Sequence, residues 1–261
     1  MRALLFTAFS LFIFGLFSQT KDRLPCVDKK FSVVAHIFRD TTGLENISES
    51  QIISIFDKVN QDFAPICISF EVCEFQYHDN FQYDQHARDP DWDEMQNLYH
   101  VKNRINVYYV KTIEDPAGAC GYAGLGDITN FYQSGIVIQK TGSCCQTTSK
   151  THSHELGHYF GLPHTFAASG VTDELVDASN CATSGDQICD TPADPYIDGT
   201  PPSQWVVDCR FINTLKDAND EFYDPLVGNI MSYYPDECSC GFTDDQFKQM
   251  VKTYLAKIGQ W

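Results

Sequence analysis

The chain has 261 residues, 43% of them hydrophobic and 13% aromatic, with a formal charge of −17. That charge argues against nucleic acid as a partner, because phosphate backbones require basic surface. It suits solubility, calcium and basic substrates, and the length suits one large domain or two tightly joined subdomains.

Residues 1–18 read as a signal peptide, with Arg2, an apolar run from Leu4 to Phe17, and Ser18 before Gln19 at the expected cleavage site. A run of about 14 apolar residues is short of the roughly 20 that span a bilayer, so export is expected rather than a stable membrane anchor. Residues 19–30 form an N-terminal extension. The sequence contains 11 cysteines, which in an exported chain imply a disulfide framework. The odd number leaves at least one thiol free or bonded to another molecule. Neither Cys144-Cys145 nor Cys238-Ser-Cys240 has zinc-ribbon spacing.

Phe31 to Phe38 is a predicted strand, in which His36 reads as a core or sheet-face histidine. Ser48 caps a helix running to about Phe63, with Ile52, Ile53, Phe56, Val59 and Phe63 as its buried face. Pro65 ends it, and Ile66 to Tyr77 is a second strand. Residues 78–97 are polar and acidic and read as a solvated loop. Asn103 to Val110 is a third strand. Gly118 to Gly126 is glycine-rich and reads as an edge strand with bulges, and Gly135 to Gln139 as a fourth full strand.

A helix follows, capped by Thr148 or Ser149 and ended by Gly161, with Leu156, Tyr159 and Phe160 on its back face. It carries His154-Glu155-Leu-Gly-His158, continued to His164. Histidines four apart share one helix face and can grip one metal ion. A left-handed turn at Gly161 brings in His164 as a third ligand. Three imidazoles suit a catalytic zinc, with Glu155 beside it as general base. His152 points about 200° around the helix from His154 at ~100° per residue, so it reads as a surface or supporting group.

Residues 165–228 have little periodicity and need support from disulfides or ions. Asp186, Asp190, Thr191 and Asp194 cluster there as oxygen ligands for a possible calcium ion. The last helix runs from about Thr243 to Ile258, with a Thr243/Gln246 capping box and an apolar stripe of Phe247, Met250, Val251 and Tyr254.

His154 to His164 resembles the long zinc consensus of metzincin metallopeptidases. Within that clan the chain is similar to the pappalysin family and its bacterial cytophagalysin-like members. The similarity is carried by His164-Thr-Phe166, by Gly185-Asp-Gln-Ile-Cys-Asp-Thr-Pro192, by Asn229-Ile-Met231-Ser-Tyr233 and by Phe242 to Gln246. It implies an α+β metzincin-type zincin. A catalytic subdomain over 31–163 would hold a twisted mixed sheet and the active-site helix. A smaller irregular subdomain over 164–261 would end in a helix.

The resemblance further implies a zinc-dependent endopeptidase acting on proteins or peptides. Met231 is expected as the floor under the histidines and Tyr233 as an oxyanion donor. Asp236 would wall the pocket for the residue after the scissile bond, favouring a basic one. The strand near Gly121 to Leu125 would align the substrate by antiparallel pairing. Two bridges are expected among Cys181, Cys189, Cys209 and Cys238 or Cys240, with Cys181–Cys209 the first choice. Cys26 is a candidate latency cysteine for the zinc, but a disulfide to the body is favoured. The competing readings are a catalytically silent binding or adhesion module on the same fold, and a zinc hydrolase of non-peptide amides.

Overall fold

The computed structural model describes residues 23–114, 118–124, 134–166 and 173–258. The expected signal peptide lies outside the described residues, as do Leu125 and Gly126 of the expected edge strand. Among the described residues no helix is long and apolar enough to cross a membrane.

Strand β1 (Lys29–Phe38) leads into α1 (Glu49–Phe63), β2 (Ile68–His78), the short α2 (Phe81–Asp84) and β3 (Gln85–His86), and then α3 (Arg88–Tyr99). Next come β4 (Ile105–Val110), β5 (Thr112–Ile113), β6 (Gly121–Ala123), β7 (Gly135–Gln139) and α4 (Thr151–Tyr159). The later part holds only a small hairpin, β8 (Val206–Val207) and β9 (Arg210–Phe211), before α5 (Asp244–Ala256). The main sheet has the order β2-β1-β4-β7-β6. Its pairs are parallel except β6–β7, so β6 is an antiparallel edge strand. This is the expected mixed sheet with an active-site helix.

Side chains alternate across a strand, so each strand feeds two faces. Ile105, Val107 and Tyr109 of β4 join α1, α4 and α5 in the larger core. Tyr108 and Val110 pack on the other side with Tyr83 and Met95. A sheet buried on both faces needs cover on both, and this overturns the reading of residues 78–97 as a solvated loop. That stretch forms α2, β3 and α3, and buries Asp84, His86 and Asp91. Asp84 pairs with the buried Lys140 at 2.6 Å.

His36 is a sheet histidine as expected, with Nε2 2.9 Å from the Asn106 Oδ1 and Nδ1 3.1 Å from His78. On α1, Ser48 does cap the helix. The buried face uses Ile55, while Ile53 is 46% exposed. The later part has its own aromatic cluster of Phe166, Tyr196, Trp205, Val206 and Tyr234. Disulfides join Cys26–Cys67, Cys120–Cys144, Cys181–Cys189 and Cys209–Cys238. The two later bridges correct the expected Cys181–Cys209 pairing, because Cys181 closes a local loop instead. Cys26 is tied to the body, and Cys73, Cys145 and Cys240 are free.

Candidate active site

Helix α4 begins at Thr151, with Lys150 as its N-cap and no side-chain capping bond. The expected cap at Thr148 or Ser149 is therefore not used. Ser149 Oγ accepts instead from the Thr151 N–H at 3.2 Å. Asp236 Oδ2 accepts from the Lys150 N–H at 3.1 Å, so a carboxylate faces the helix start, where the helix dipole favours negative charge. Asp62 secures the same turn, accepting from Lys150 Nζ and from Ser153 Oγ at 2.6 Å. His152 is not on the surface. It is buried, with Nε2 3.1 Å from the Tyr109 hydroxyl, and belongs to the helix–sheet interface.

Gly161 takes φ +89° and ends the helix, its N–H bonding the His158 carbonyl at 2.8 Å. The turn brings His164 back to the helix. Ligand atoms of His154, His158 and His164 all lie within 4.8 Å of one another, and the facing Nε2 atoms of His158 and His164 are 3.0 Å apart. Nδ1 of His154 donates to the Ile230 carbonyl and Nδ1 of His158 to the Leu162 carbonyl, each at 2.6 Å. A proton held on Nδ1 leaves Nε2 as a bare lone pair. Burial holds all three imidazoles well below their usual pKa, at about 3. Neutral imidazoles converging in this way fit zinc.

Met231 is fully buried against the helix that carries two of these histidines. A Cβ added at Gly157 would stand 2.4 Å from the Met231 Sδ. A side chain at the glycine inside the His-Glu-Leu-Gly-His run would thus press on the methionine, a link that neither segment reveals alone. Asn229 Oδ1 accepts from the Met231 N–H at 2.8 Å, and its amide pairs with Gln246 at 3.0 and 3.2 Å. Gln246 also completes the capping box of α5. The methionine turn is therefore clamped to the last helix.

Glu155 is 5% exposed, and its Oε2 has no hydrogen-bond partner among the described residues. Desolvation pushes its carboxyl up to about 8, and the Arg88 guanidinium opposes this. Tyr233 lies over the histidines, its ring 4.6 Å from His164 and 5.5 Å from His154. Burial, with Glu155 nearby, raises its phenol, so it keeps its proton.

Asp236 lines a cleft of about 760 Å³ together with Glu155, His154, Asp198 and Gly118 to Gly121. Asp198 was not singled out from sequence. The expected calcium ligands have diverse partners. Asp186 accepts from the Ile188 N–H and the Thr191 hydroxyl. Asp190 accepts from the Thr243 hydroxyl and the Asp245 N–H at the start of α5. Asp194 accepts from Thr165, Ser232, Tyr234 and the Tyr196 N–H. Glu174, missed from sequence, is 4% exposed, and neither carboxylate oxygen has a hydrogen-bond partner among the described residues. Its hydrophobic neighbours in sequence give no periodic signal that marks it.

Residues 49–165 match the family of reprolysin-like metallopeptidases, M12B. An extracellular metalloprotease of Colletotrichum graminicola is 28% identical over 251 residues, covering 93% of this chain and 79% of the relative. One from Arthroderma benhamiae is 25% identical over 81% of this chain and 72% of its own length. Human pappalysin-1 is 23% identical over 61% of this chain but 10% of its own. Among solved structures, mature mirolysin of Tannerella forsythia, in complex with a cleaved peptide, aligns with a TM-score of 0.60 at 19% identity. That alignment covers 86% of this chain and 91% of mirolysin.

Proposed function

We propose that this metalloendopeptidase, built on a metzincin fold, cuts proteins outside the cell with zinc held by His154, His158 and His164. The convergence of the three ligand atoms is the observation that carries the reading. Bound zinc supplies Lewis acidity, which acidifies water and polarises a carbonyl. Glu155 takes the proton of the attacking water and returns it to the leaving amine. Its buried, unpartnered Oε2 supports that role. The Tyr233 hydroxyl donates a hydrogen bond to the oxyanion that develops on the carbonyl. Met231 is the apolar floor that keeps the histidines in place.

In this reading residues 31–163 supply the sheet and helix, and residues 164–261 supply the third histidine, the methionine and the pocket wall. The edge of β6, which carries no further strand among the described residues, pairs with an extended substrate. Asp236 favours a basic residue after the scissile bond. Calcium is held by Asp186 with Glu174, and with Asp190 and Thr191 nearby. Export through residues 1–18 is tested by the N-terminus of protein recovered from the medium, which should be Gln19.

A silent binding module has no need for a desolvated carboxylate beside three converging imidazoles, so catalysis is favoured. The test is cleavage of a peptide library by the purified protein. Glu155→Gln should lower turnover by about 10³-fold or more while retaining one zinc per chain. Asp236→Asn should lose the bias for Lys or Arg after the cut. Cleavage that survives both a chelator and Glu155→Gln rejects the mechanism.

A further inference from the structure

A second cleft, of about 820 Å³, also borders Glu155 and is lined by Arg88, Tyr122, Ala123, His158, His164 and Lys252. Its place along the substrate follows from strand direction. An antiparallel strand added to β6 runs from the Ala123 end toward Gly118. Residues before the scissile bond therefore pass the Arg88 cleft, and residues after it enter the cleft with Asp236 and Asp198.

Arg88 is held by an aromatic contact. Its guanidinium carbon lies 4.9 Å from the ring centre of Tyr122, on the edge strand, a contact that orients the charge without neutralising it. The ring is itself fixed, its hydroxyl bonded to His86 Nε2 and its face 5.2 Å from Trp92. Burial keeps His86 low, at about 4, so it adds no competing charge. Among the described residues no carboxylate forms an ion pair with Arg88 or Lys252.

Glu155 also lines the cleft, and the Arg88 charge acts on it without a salt bridge; the other nearby acids are engaged elsewhere. Asp91 is buried and accepts from the Ala87 N–H and Gln82. Asp89 is exposed and does not line the cleft. Asp186 lines it, but accepts bonds from its own loop. Arg88 and Lys252 are exposed cations that line one cleft without an ion pair to a carboxylate among the described residues, and a substrate carboxylate can pair with them.

We propose that Arg88, supported by Lys252, forms a subsite for an acidic side chain within the three residues before the scissile bond. The cleft is then polarised, cationic on the side that precedes the cut and anionic on the side that follows it. The inference rests on the peptidase reading above and adds the substrate class to it. Arg88 would act as a specificity residue, since the charge pairs with substrate rather than with the reacting atoms.

The experiment profiles cleavage products of the zinc-loaded enzyme and its Arg88→Glu and Arg88→Gln variants on one peptide library. Wild type should enrich Asp or Glu at one of the three positions before the cut. Arg88→Gln should remove the enrichment. Arg88→Glu should lower the acidic-to-neutral ratio of kcat/KM by about tenfold, attraction having become repulsion, and leave the preference after the cut intact. Chelator-sensitive cleavage without acidic enrichment overturns the subsite and leaves the peptidase reading standing. A loss shared equally by acidic and neutral substrates also overturns it, because Arg88 would then act only through Glu155. Absence of any chelator-sensitive cleavage fails the peptidase reading itself.

Discussion

The sheet half and the irregular half of the molecule meet at the three histidines, and they are stabilised by different means. In the described residues up to Phe160, apolar burial covers two faces of one sheet, and β4 is buried at every position. After His164, order comes from carboxylates and amides that each collect several partners. Asp194 accepts four bonds, and Asn229 and Gln246 clamp the segment that carries Met231. The first arrangement follows a period along the sequence. The second depends on residues that meet only after folding.

The sharpest challenge to that contrast is the buried pair in the sheet half. Lys140 donates to Asp84 and to the Phe38 carbonyl, and both side chains are fully enclosed. Asp84→Ala strands a buried ammonium group and should cost about 3–5 kcal/mol. Replacing Lys140 with Met in the same chain should recover most of the loss. Urea unfolding measures both. A single-variant cost under ~1 kcal/mol would mean that Lys140 finds another partner or reaches water, and that the sheet half is apolar in its energetics throughout.

The same pair marks where the sequence stops being legible. The strands, α1, the zinc-motif helix and the capping box of α5 are periodic or motif-bound, and they were readable. Residues 78–97 were not, because the polar residues that cover the sheet there are buried through partners far away, Asp84 with Lys140 and His86 with Tyr122. At the candidate site the motif indicated the histidines, Glu155, Met231 and Tyr233. It gave no sign of Gly157 against Met231, of Glu174, or of Arg88 over Tyr122, since each depends on contacts across elements. The cysteine pairing failed for the same reason.

The irregular half offers a second, smaller test through calcium. Desolvation first, then repulsion from Asp190 on Asp186 and from Asp186 on Glu174, pushes the two carboxyls each up to about 7. A carboxyl whose folded pKa exceeds its unfolded value stabilises the fold at low pH and loses that stabilisation as pH rises through the folded pKa. Calcium-free protein should therefore lose stability between about pH 4 and 7. Calcium at a hundred times its Kd should restore about 2.7 kcal/mol at neutral pH. Thermal unfolding with calcium or a calcium-selective chelator gives the difference. If Glu174→Gln keeps the full calcium gain, Glu174 is not a ligand and the ion, if any, sits elsewhere in the loop.

Asp194 separates support of the fold from support of the site. Its Oδ2 receives the Thr165 hydroxyl at 2.7 Å and the Ser232 hydroxyl at 2.9 Å, one residue past His164 and one past Met231. Tyr234 OH binds Oδ1 at 2.7 Å, beside the proposed oxyanion donor. One carboxylate thus positions the third histidine, the floor and the tyrosine together. Asp194→Ala should cost about 2 kcal/mol from lost charge-assisted bonds. Because outer partners orient metal ligands, it should also weaken zinc about tenfold. Unfolding and zinc competition with a chromogenic chelator read the two effects separately. Loss of stability with unchanged zinc affinity would make Asp194 a brace for the aromatic cluster alone. Loss of both would mean that the irregular half positions the ligands as actively as the helix does, which is the role its polar hubs predict.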